Sequence, residues 1–151
     1  METPVAFVVG QTPLQSAAES LFEDIAKQKP SSVILSHFST TQSVILQHDC
    51  VHSTAPYQFV GLHAVRSYFD LLSLHWTRDN MHHRCDVRAD KLQVVVTASV
   101  QWTWRVSRKS WREDFTCTLD FDELLKVKGF VVASNPPEAF CVMRAVDGTT
   151  A

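Results

Sequence analysis

A short segment in the first third of the chain joins an apolar start to a cluster of side chains that bind protons or metals. The segment SVILQHDCVH, residues 43–52, places His48, Asp49, Cys50 and His52 within five positions. In a β-strand alternate side chains share a face, so both histidines would lie on the face of the apolar residues that precede them. Imidazole titrates near a pH of about 6.5, which suits proton transfer at neutral pH. The segment therefore predicts His52 and His48 as candidate catalytic residues.

Two other arrangements of the same segment stay open. A β-bulge would let Asp49 and His52 exchange roles with His48. At a half-exposed strand end, both histidines would be structural residues without a catalytic role. The sequence does not decide which of the three side chains faces a pocket.

Two further titratable side chains fall on apolar faces of predicted strands. Glu113 alternates with Trp111 and Phe115, which predicts an inward carboxylate. Such a group needs a partner or takes up a proton, because desolvating its charge is costly, and it would then suit general acid–base work. A frayed strand would instead let Glu113 reach solvent or an arginine. His83 is predicted inward beside Cys85, either as a second catalytic helper or as a core histidine with one hydrogen bond.

Four aromatic residues are the candidates for ligand binding. Trp102 and Trp104 share a strand face and could line an aromatic site or fill the core, as could Phe115. Tyr57 falls in the segment STAPYQFVG, which its Pro, Ser and Gly content predicts to be a loop. From a pocket mouth the Tyr57 phenol could donate to a substrate oxygen or simply pack.

The predicted strands also carry nitrogen and sulfur donors of the kind that bind metal ions. The two patterns are His48-x-Cys50-x-His52 and His83-x-Cys85, and zinc accepts such ligands in tetrahedral geometry. Neither spacing matches an established structural zinc pattern, so no metal and no cofactor are predicted. Proton transfer by imidazole and carboxylate groups requires neither.

The first half of the chain carries helical signals. Thr12 and Pro13 predict a helix start, and Pro30 predicts its end. A short second helix is predicted from Ser31 or Ser32 through Phe38, and residues 43–52 follow as a strand. A third helix carries the strongest apolar stripe in the chain, at Leu62, Val65, Phe69, Leu72 and Trp76.

From residue 80 the hydrophobic period changes from 3.6 to 2, which predicts strands in hairpin succession. Turns are predicted at 90–91, 107–110 and 122–123, and a last strand covers LLKVKGFVVA. The fold class is therefore α+β, with three N-terminal helices packed on a strongly curved, mostly antiparallel sheet. The 151 residues suit one domain over 1–151.

Composition excludes several functions. A net charge of -2 offers no field for nucleic acid, and no apolar run approaches the ~20 residues of a membrane span. The N-terminus lacks the features of a targeting segment. Four scattered cysteines predict free thiols in a reducing cytoplasm.

The segments FVGLHAVRSYFDLL and WREDFTCTLDFDELLKVKGFVV resemble the nuclear transport factor 2-like superfamily, with its SnoaL-like cyclases and ketosteroid isomerases. The resemblance covers about residues 14 to 135. It implies a cone-shaped half-barrel with a pocket at its wide end, and often a homodimer through the open sheet face. Isomerases of this type carry a tyrosine in the first helix, where this chain has Leu21 and Phe22. Their aspartate base aligns without gaps to His52, with Asp49 three residues earlier.

Two functional hypotheses follow. In the first, the chain is a cofactor-independent isomerase, dehydratase or cyclase that acts by His/Glu chemistry on a small apolar cyclic substrate. In the second, the same fold is a non-catalytic dimerisation or protein-interaction module. Pocket volume separates them, because ligand pockets typically exceed about 300 Å³.

Overall fold

A computed structural model describes residues 12–49 and 57–134, which form an α+β arrangement of three α-helices and one six-stranded sheet. The elements in chain order are α1 (Pro13–Ala26), α2 (Ser31–Leu35), β1 (Ile45–Asp49), β2 (Tyr57–Val60), α3 (Leu62–His75), β3 (Trp76–Arg88), β4 (Gln93–Trp104), β5 (Ser110–Phe121) and β6 (Val127–Ser134). A 3₁₀ turn over Ala89–Lys91 joins β3 to β4, as the sequence predicted.

The two long helices begin where local signals place them. Thr12 caps α1, since its side-chain oxygen accepts a hydrogen bond from the Gln15 backbone N–H at 3.0 Å, and Pro13 takes the first helical position. Gly61 precedes α3 with a φ of 92°, a conformation that glycine adopts without a steric penalty. Each helix presents one apolar face to the sheet: Leu14, Ala18, Leu21, Phe22 and Ile25 from α1, and Val65, Tyr68, Phe69 and Leu72 from α3.

The strand order across the sheet is β2-β1-β6-β5-β4-β3, and the sheet is curved and open. Only the β1–β6 pair is parallel; the other four neighbouring pairs are antiparallel. The long strands β4 and β5 bury the alternating residues of one face, and β3 alternates partly buried with exposed residues from Met81 onward, which confirms the predicted period of 2. None of the helices in the two described ranges is long and apolar enough to cross a membrane.

A bulge in β3 changes which side chains face the helices. The β3–β4 register shifts between Asp79 and His82, and Asn80 adopts a φ of 50°. Before the bulge, Trp76 and Arg78 point inward; after it, the inward positions are the odd-numbered ones from Met81 onward. Both sides of the bulge therefore contribute inward residues, although the alternation is interrupted between them.

Several predicted boundaries are wrong. α2 ends at Leu35, and Phe38 instead forms an isolated bridge with Val127. Residues 57–60, predicted as loop, form β2. Since α3 follows β1 and β2, two of the three helices in the described part of the chain precede the sheet. Trp76 is the first residue of β3 rather than part of the third helix. The last strand begins at Val127, because residues 122–125 form a turn with Leu125 at a φ of 61°.

Candidate functional site

The inner face of the sheet and the two long helices enclose a small cavity of about 40 Å³. Its lining is mostly apolar and contains four polar side chains. Apolar lining comes from Phe22, Ile25, Phe69, Leu72, Met81, Trp102, Phe115, Phe130 and Val132; the polar lining is His48, Tyr68, Arg78 and Glu113. A cavity of this volume holds waters readily, but it is far smaller than the ~300–1,000 Å³ of typical ligand pockets.

His48 is the residue of the 43–52 segment that the structure places in the cavity. Val44, Leu46 and His48 alternate on the buried face of the chain at β1, and only 2% of His48 is exposed. Asp49 lies on the other face, where its carboxylate accepts a hydrogen bond from the Gln47 side chain at 3.0 Å. His52 and Cys50, with the rest of the predicted strand, lie outside the described residues.

A phenol from α3 orients the His48 ring. Nδ1 of His48 lies 2.8 Å from the Tyr68 hydroxyl, and both side chains are buried. If the phenol donates, Nε2 of His48 carries the ring proton and is a donor; if Nδ1 donates, Nε2 is an acceptor. In either case Tyr68 holds the orientation of the ring, and Nε2 has no hydrogen-bond partner among the described residues.

Burial keeps this pair uncharged. It lowers the pKa of His48 from 6.5 to about 4, so the imidazole is neutral at physiological pH. Burial also raises the pKa of Tyr68, and the nearby charge of Glu113 raises it further, so the phenol keeps its proton. The pair therefore offers a neutral, oriented imidazole nitrogen to the cavity.

Glu113 occupies the inward position on β5 that the alternation predicted. Its Oε1 accepts a hydrogen bond from the Trp102 indole N–H at 2.8 Å, and its Oε2 accepts one from the Ser134 hydroxyl. Only 2% of Glu113 is exposed. These donors come from the neighbouring strands β4 and β6, so the carboxylate is held in one orientation at the cavity wall.

Arg78, on β3, is a cavity residue that sequence reasoning missed. Its Nε donates to the Ile25 carbonyl at 2.9 Å, and its guanidinium carbon lies 6.0 Å from the centre of the Trp102 ring. Burial lowers the pKa of Arg78 to about 10, which leaves it protonated at neutral pH. Its Nη2 has no hydrogen-bond partner in the described part of the chain. The available signal was an arginine two residues after Trp76, but the bulge hid its alternation with Met81.

The site thus combines three kinds of group around one cavity. The Nε2 atom of His48 can accept or donate a proton, and the guanidinium of Arg78 can stabilise negative charge on an oxygen atom. The carboxylate of Glu113 adds a second proton acceptor. This combination suits proton transfer to or from a carbon or oxygen atom whose neighbour develops negative charge.

The predicted aromatic residues divide between cavity and surroundings. Trp102 and Phe115 line the cavity, whereas Trp104 is only partly buried and packs against Trp76 with ring centres 4.8 Å apart. Tyr57 is 37% exposed on β2, paired with His48 across the β1–β2 ladder, and does not belong to the cavity lining. Phe59, also on β2, instead packs against Tyr68, with the two ring centres 5.2 Å apart.

His83 is turned inward as predicted, but it serves a different cluster. Its Nε2 lies 2.6 Å from Oε1 of Glu19 on α1. The side chains of Glu19, His83 and Cys85 have ligand atoms within 4.8 Å of one another. His83 also borders an open surface groove together with Ala98, but it is not part of the cavity that contains His48.

Comparison with solved structures identifies the architecture. A nuclear transport factor 2-like protein from Burkholderia xenovorans LB400 matches with a TM-score of 0.64, at 9% sequence identity, over 81% of this chain and 88% of that chain. The described strands and helices superpose on that fold over most of their length. The chain has the nuclear transport factor 2-like fold.

Other proteins of this fold have descriptions that name an activity. The pinacolase BvnE from Penicillium brevicompactum matches with a TM-score of 0.65 and 12% identity, over 81% of this chain and 85% of that chain. SalBIII, an epoxide hydrolase/cyclase-like enzyme in pyran ring formation, matches with a TM-score of 0.66 and 14% identity, over 81% of this chain and 90% of that chain. A computationally designed protein with this fold also matches. No family model and no curated protein sequence matches the chain.

Within this nuclear transport factor 2-like cone, the phenol comes from an unexpected helix. The sequence placed Leu21 and Phe22 where isomerases of the fold carry a tyrosine, and no phenol was expected in α1. Tyr68 on α3 brings a phenol to the cavity instead. Its three-residue spacing from Val65 on the apolar stripe was the signal that could have placed it inward.

Proposed function

We propose that the chain is a cofactor-independent enzyme that moves a proton on a small, largely apolar cyclic molecule, as in an isomerisation, dehydration or cyclisation. The observation that carries the proposal is that His48 lines the cavity and that its buried Nε2 has no hydrogen-bond partner among the described residues. A buried polar atom left without a partner costs about 1–3 kcal/mol. A substrate group that donates to this atom, or accepts from it, would recover that energy.

Each polar residue has a distinct role in the proposed reaction. His48 transfers the proton, and Tyr68 orients it through the 2.8 Å hydrogen bond to Nδ1. Arg78 donates from Nη2 to the oxygen atom on which negative charge develops. Glu113 is the second acid–base group, held by Trp102 and Ser134.

The acid–base strength of His48 fits such a reaction when the product anion is stabilised. With a pKa of about 4, the neutral imidazole is a weak base at neutral pH. A weak base suffices if nearby donors lower the energy of the anion that forms, and Arg78 supplies a charged donor in the same cavity. The positive charge gained by His48 would also lie near the carboxylate of Glu113.

The cavity volume sets a condition on the proposal. A six-membered ring needs more than the 40 Å³ present, so the lining must move apart when substrate enters. Met81 is the side chain best suited to move, because it is unbranched, only partly buried, and placed at the β3 bulge. We expect Met81→Ala to enlarge the cavity and to strengthen binding of a cyclic ligand.

Two enzymes with the same fold also support the proposal. One is described as a pinacolase and another as acting in pyran ring formation, and both have the fold that this chain has. At 12% and 14% sequence identity, these two structures support the fold of this chain, and its substrate has to be identified by experiment. The assignment to catalysis therefore depends on the cavity residues.

The test uses a β,γ-unsaturated cyclic ketone, whose conversion to the conjugated ketone is followed by ultraviolet absorbance. The base removes a proton from the carbon beside the carbonyl, and a proton is returned to the far end of the double bond. We expect the wild-type chain to accelerate this reaction and His48→Gln to slow it by ~10²–10⁴-fold, the usual contribution of acid–base catalysis. His82→Gln is the matched control, because His82 lies on the exposed face of the same sheet.

Native mass spectrometry of the chain purified from its own source is the companion experiment, since it detects any retained small molecule. Equal rates for wild type and His48→Gln would refute the assignment of His48. If, in addition, wild type neither accelerates the reaction nor retains a small molecule, the ligand cavity itself is excluded.

A non-catalytic module is the second candidate, and the small cavity is the observation that favours it. In that case function would lie on the sheet, whose outward face carries the partly or fully exposed polar residues Gln93, Thr97, Gln101 and Thr103. A homodimer through this face fits either candidate, and light scattering of the purified chain tests it. A reducing cytoplasmic location also belongs to the proposal, supported by the unpaired thiols of Cys85 and Cys117.

A further inference from the structure

Three side chains with different metal-binding atoms meet outside the cavity, where α1 crosses β3. Glu19 comes from α1, and His83 and Cys85 come from the inward face of β3, two residues apart. The Glu19 carboxylate and the His83 imidazole are in direct contact, since Oε1 of Glu19 lies 2.6 Å from Nε2 of His83. All three ligand atoms lie within 4.8 Å of one another.

The arrangement does not suit a nucleophilic cysteine. Burial, together with the nearby charge of Glu19, raises the pKa of Cys85 to about 12, so the thiol is protonated at neutral pH. A Cys–His nucleophile would instead need a thiol of lowered pKa, with the imidazole as its base. Here the imidazole contacts the Glu19 carboxylate, and the thiol lies within 4.8 Å of both, which places three donor atoms around one point.

We propose that Glu19, His83 and Cys85 form a binding site for a divalent transition-metal ion of the zinc class. Binding would form the metal–sulfur bond as the Cys85 S–H bond breaks, and the proton would be released to solvent, because the charge of the ion deprotonates a coordinating thiol. Zinc accepts oxygen, nitrogen and sulfur donors together, at bond lengths of about 2.0–2.3 Å. Tetrahedral geometry at those lengths separates the ligand atoms by about 3.3–3.7 Å. The carboxylate and the imidazole must therefore move apart by less than about 1 Å. The thiol lies within 4.8 Å of both other ligand atoms and must approach by at most about 1.5 Å. Side-chain rotation on a helix and a strand is sufficient for both movements.

The surroundings favour binding over a simple hydrogen-bonded cluster. The side chains of His83 and Glu19 are 16% and 26% exposed, so an ion can reach them, and His83 borders the open groove. The ring centres of Phe22 and His83 lie 5.6 Å apart, so Phe22 limits the rotation of the imidazole. Three protein ligands leave a fourth position for water or another ligand.

The site would also affect the cavity. Phe22 contacts His83 on one side and lines the cavity on the other. A bound ion would link α1 to β3 directly and would hold Phe22 in place. This effect is independent of whether the cavity is catalytic, so the metal proposal does not depend on the proposed function.

The test adds Co²⁺ to the full-length chain after chelator treatment, because thiolate-bound Co²⁺ gives a charge-transfer band in the near ultraviolet. We expect the band to saturate at one Co²⁺ per chain, to disappear when Zn²⁺ is added, and to be absent from Cys85→Ser. His83→Gln, which keeps the thiol, should weaken the affinity at least tenfold. Zn²⁺ should raise the melting temperature of wild type and leave that of Cys85→Ser unchanged.

Cys50→Ser and Cys141→Ser are the controls, since both leave the three proposed ligands in place. They should keep the full band. Absence of the band in wild type, or its persistence in Cys85→Ser, overturns the proposal. A band lost in Cys50→Ser would assign the ion to the 48–52 segment and would also overturn it. If Cys85→Ser does not fold, unchanged affinity in His83→Gln has the same consequence.

Discussion

The charge state of His48 makes the stability of the chain depend on pH in a way that one substitution can isolate. Burial lowers the pKa of His48 from 6.5 in the unfolded chain to about 4 in the folded chain. Between these two values the unfolded state binds more protons than the folded state, so the free energy of unfolding rises with pH. The contribution is fully present above the unfolded pKa and is lost as pH falls through 6.5 toward 4.

The magnitude follows from these two values. Going from about pH 7.5 to about pH 4.5, the linkage relation gives a loss of about 2.5 kcal/mol in the free energy of unfolding from His48 alone. Only 2% of His48 is exposed, so solvent screening does not reduce this figure. Other titratable groups also contribute to the pH dependence over this range, and their contributions cancel when two variants are compared.

The assay is urea denaturation of wild type and of His48→Gln at both pH values, followed by tryptophan fluorescence. We expect wild type to lose about 2.5 kcal/mol more than His48→Gln between the two pH values. His82→Gln, on the exposed face of β3, should lose as much as wild type. If wild type and His48→Gln lose equal amounts, His48 is not a buried neutral imidazole, and its catalytic role falls with that conclusion.

Three other substitutions test the contacts that hold the site and its supports, each by urea denaturation at neutral pH. Tyr68→Phe removes the hydroxyl that bonds Nδ1 of His48, and leaving Nδ1 unpaired should cost about 1–3 kcal/mol; no loss would mean that the phenol does not bond the ring. Thr12→Ala removes the cap of α1 and should cost about 1 kcal/mol, whereas Thr12→Ser should cost little. Asp122→Ala removes an acceptor of the Ser39 hydroxyl and of two backbone N–H groups in the β5–β6 turn, and should cost about 3 kcal/mol; a loss below about 1 kcal/mol would contradict these bonds.

The parts of the site that follow a regular period were predictable from the sequence. Alternation placed His48 with Leu46 on the buried face of β1, and Glu113 with Phe115 on that of β5. Each prediction needed only one unbroken strand, because a period of 2 carries the face assignment from one residue to the next. The choice between His48 and Asp49 needed the strand pairing, which comes from distant residues on β6.

The parts that sequence reasoning missed depend on interruptions of the period or on contacts between distant segments. The bulge at Asn80 separates Arg78 from the inward set that begins at Met81, so one alternation could not include both. Residues 57–60 carry loop-forming neighbours, yet they form β2 because β1 offers an unpaired edge on that side. Burial of Tyr68 was readable from helical spacing, but its bond to His48 was not, since twenty residues separate the two.

The energetics of the cavity give the strongest physical reason to expect a ligand there. Burial lowers the pKa of His48 to about 4 and that of Arg78 to about 10, so the folded structure destabilises the charged form of each group. Both side chains also keep a buried nitrogen without a partner among the described residues, whereas apolar side chains of similar volume would avoid these costs. Two such groups from β1 and β3 converge on one cavity, beside an oriented carboxylate. A cluster of buried polar groups that lack hydrogen-bond partners is typical of binding and catalytic sites, because a bound ligand can supply those partners.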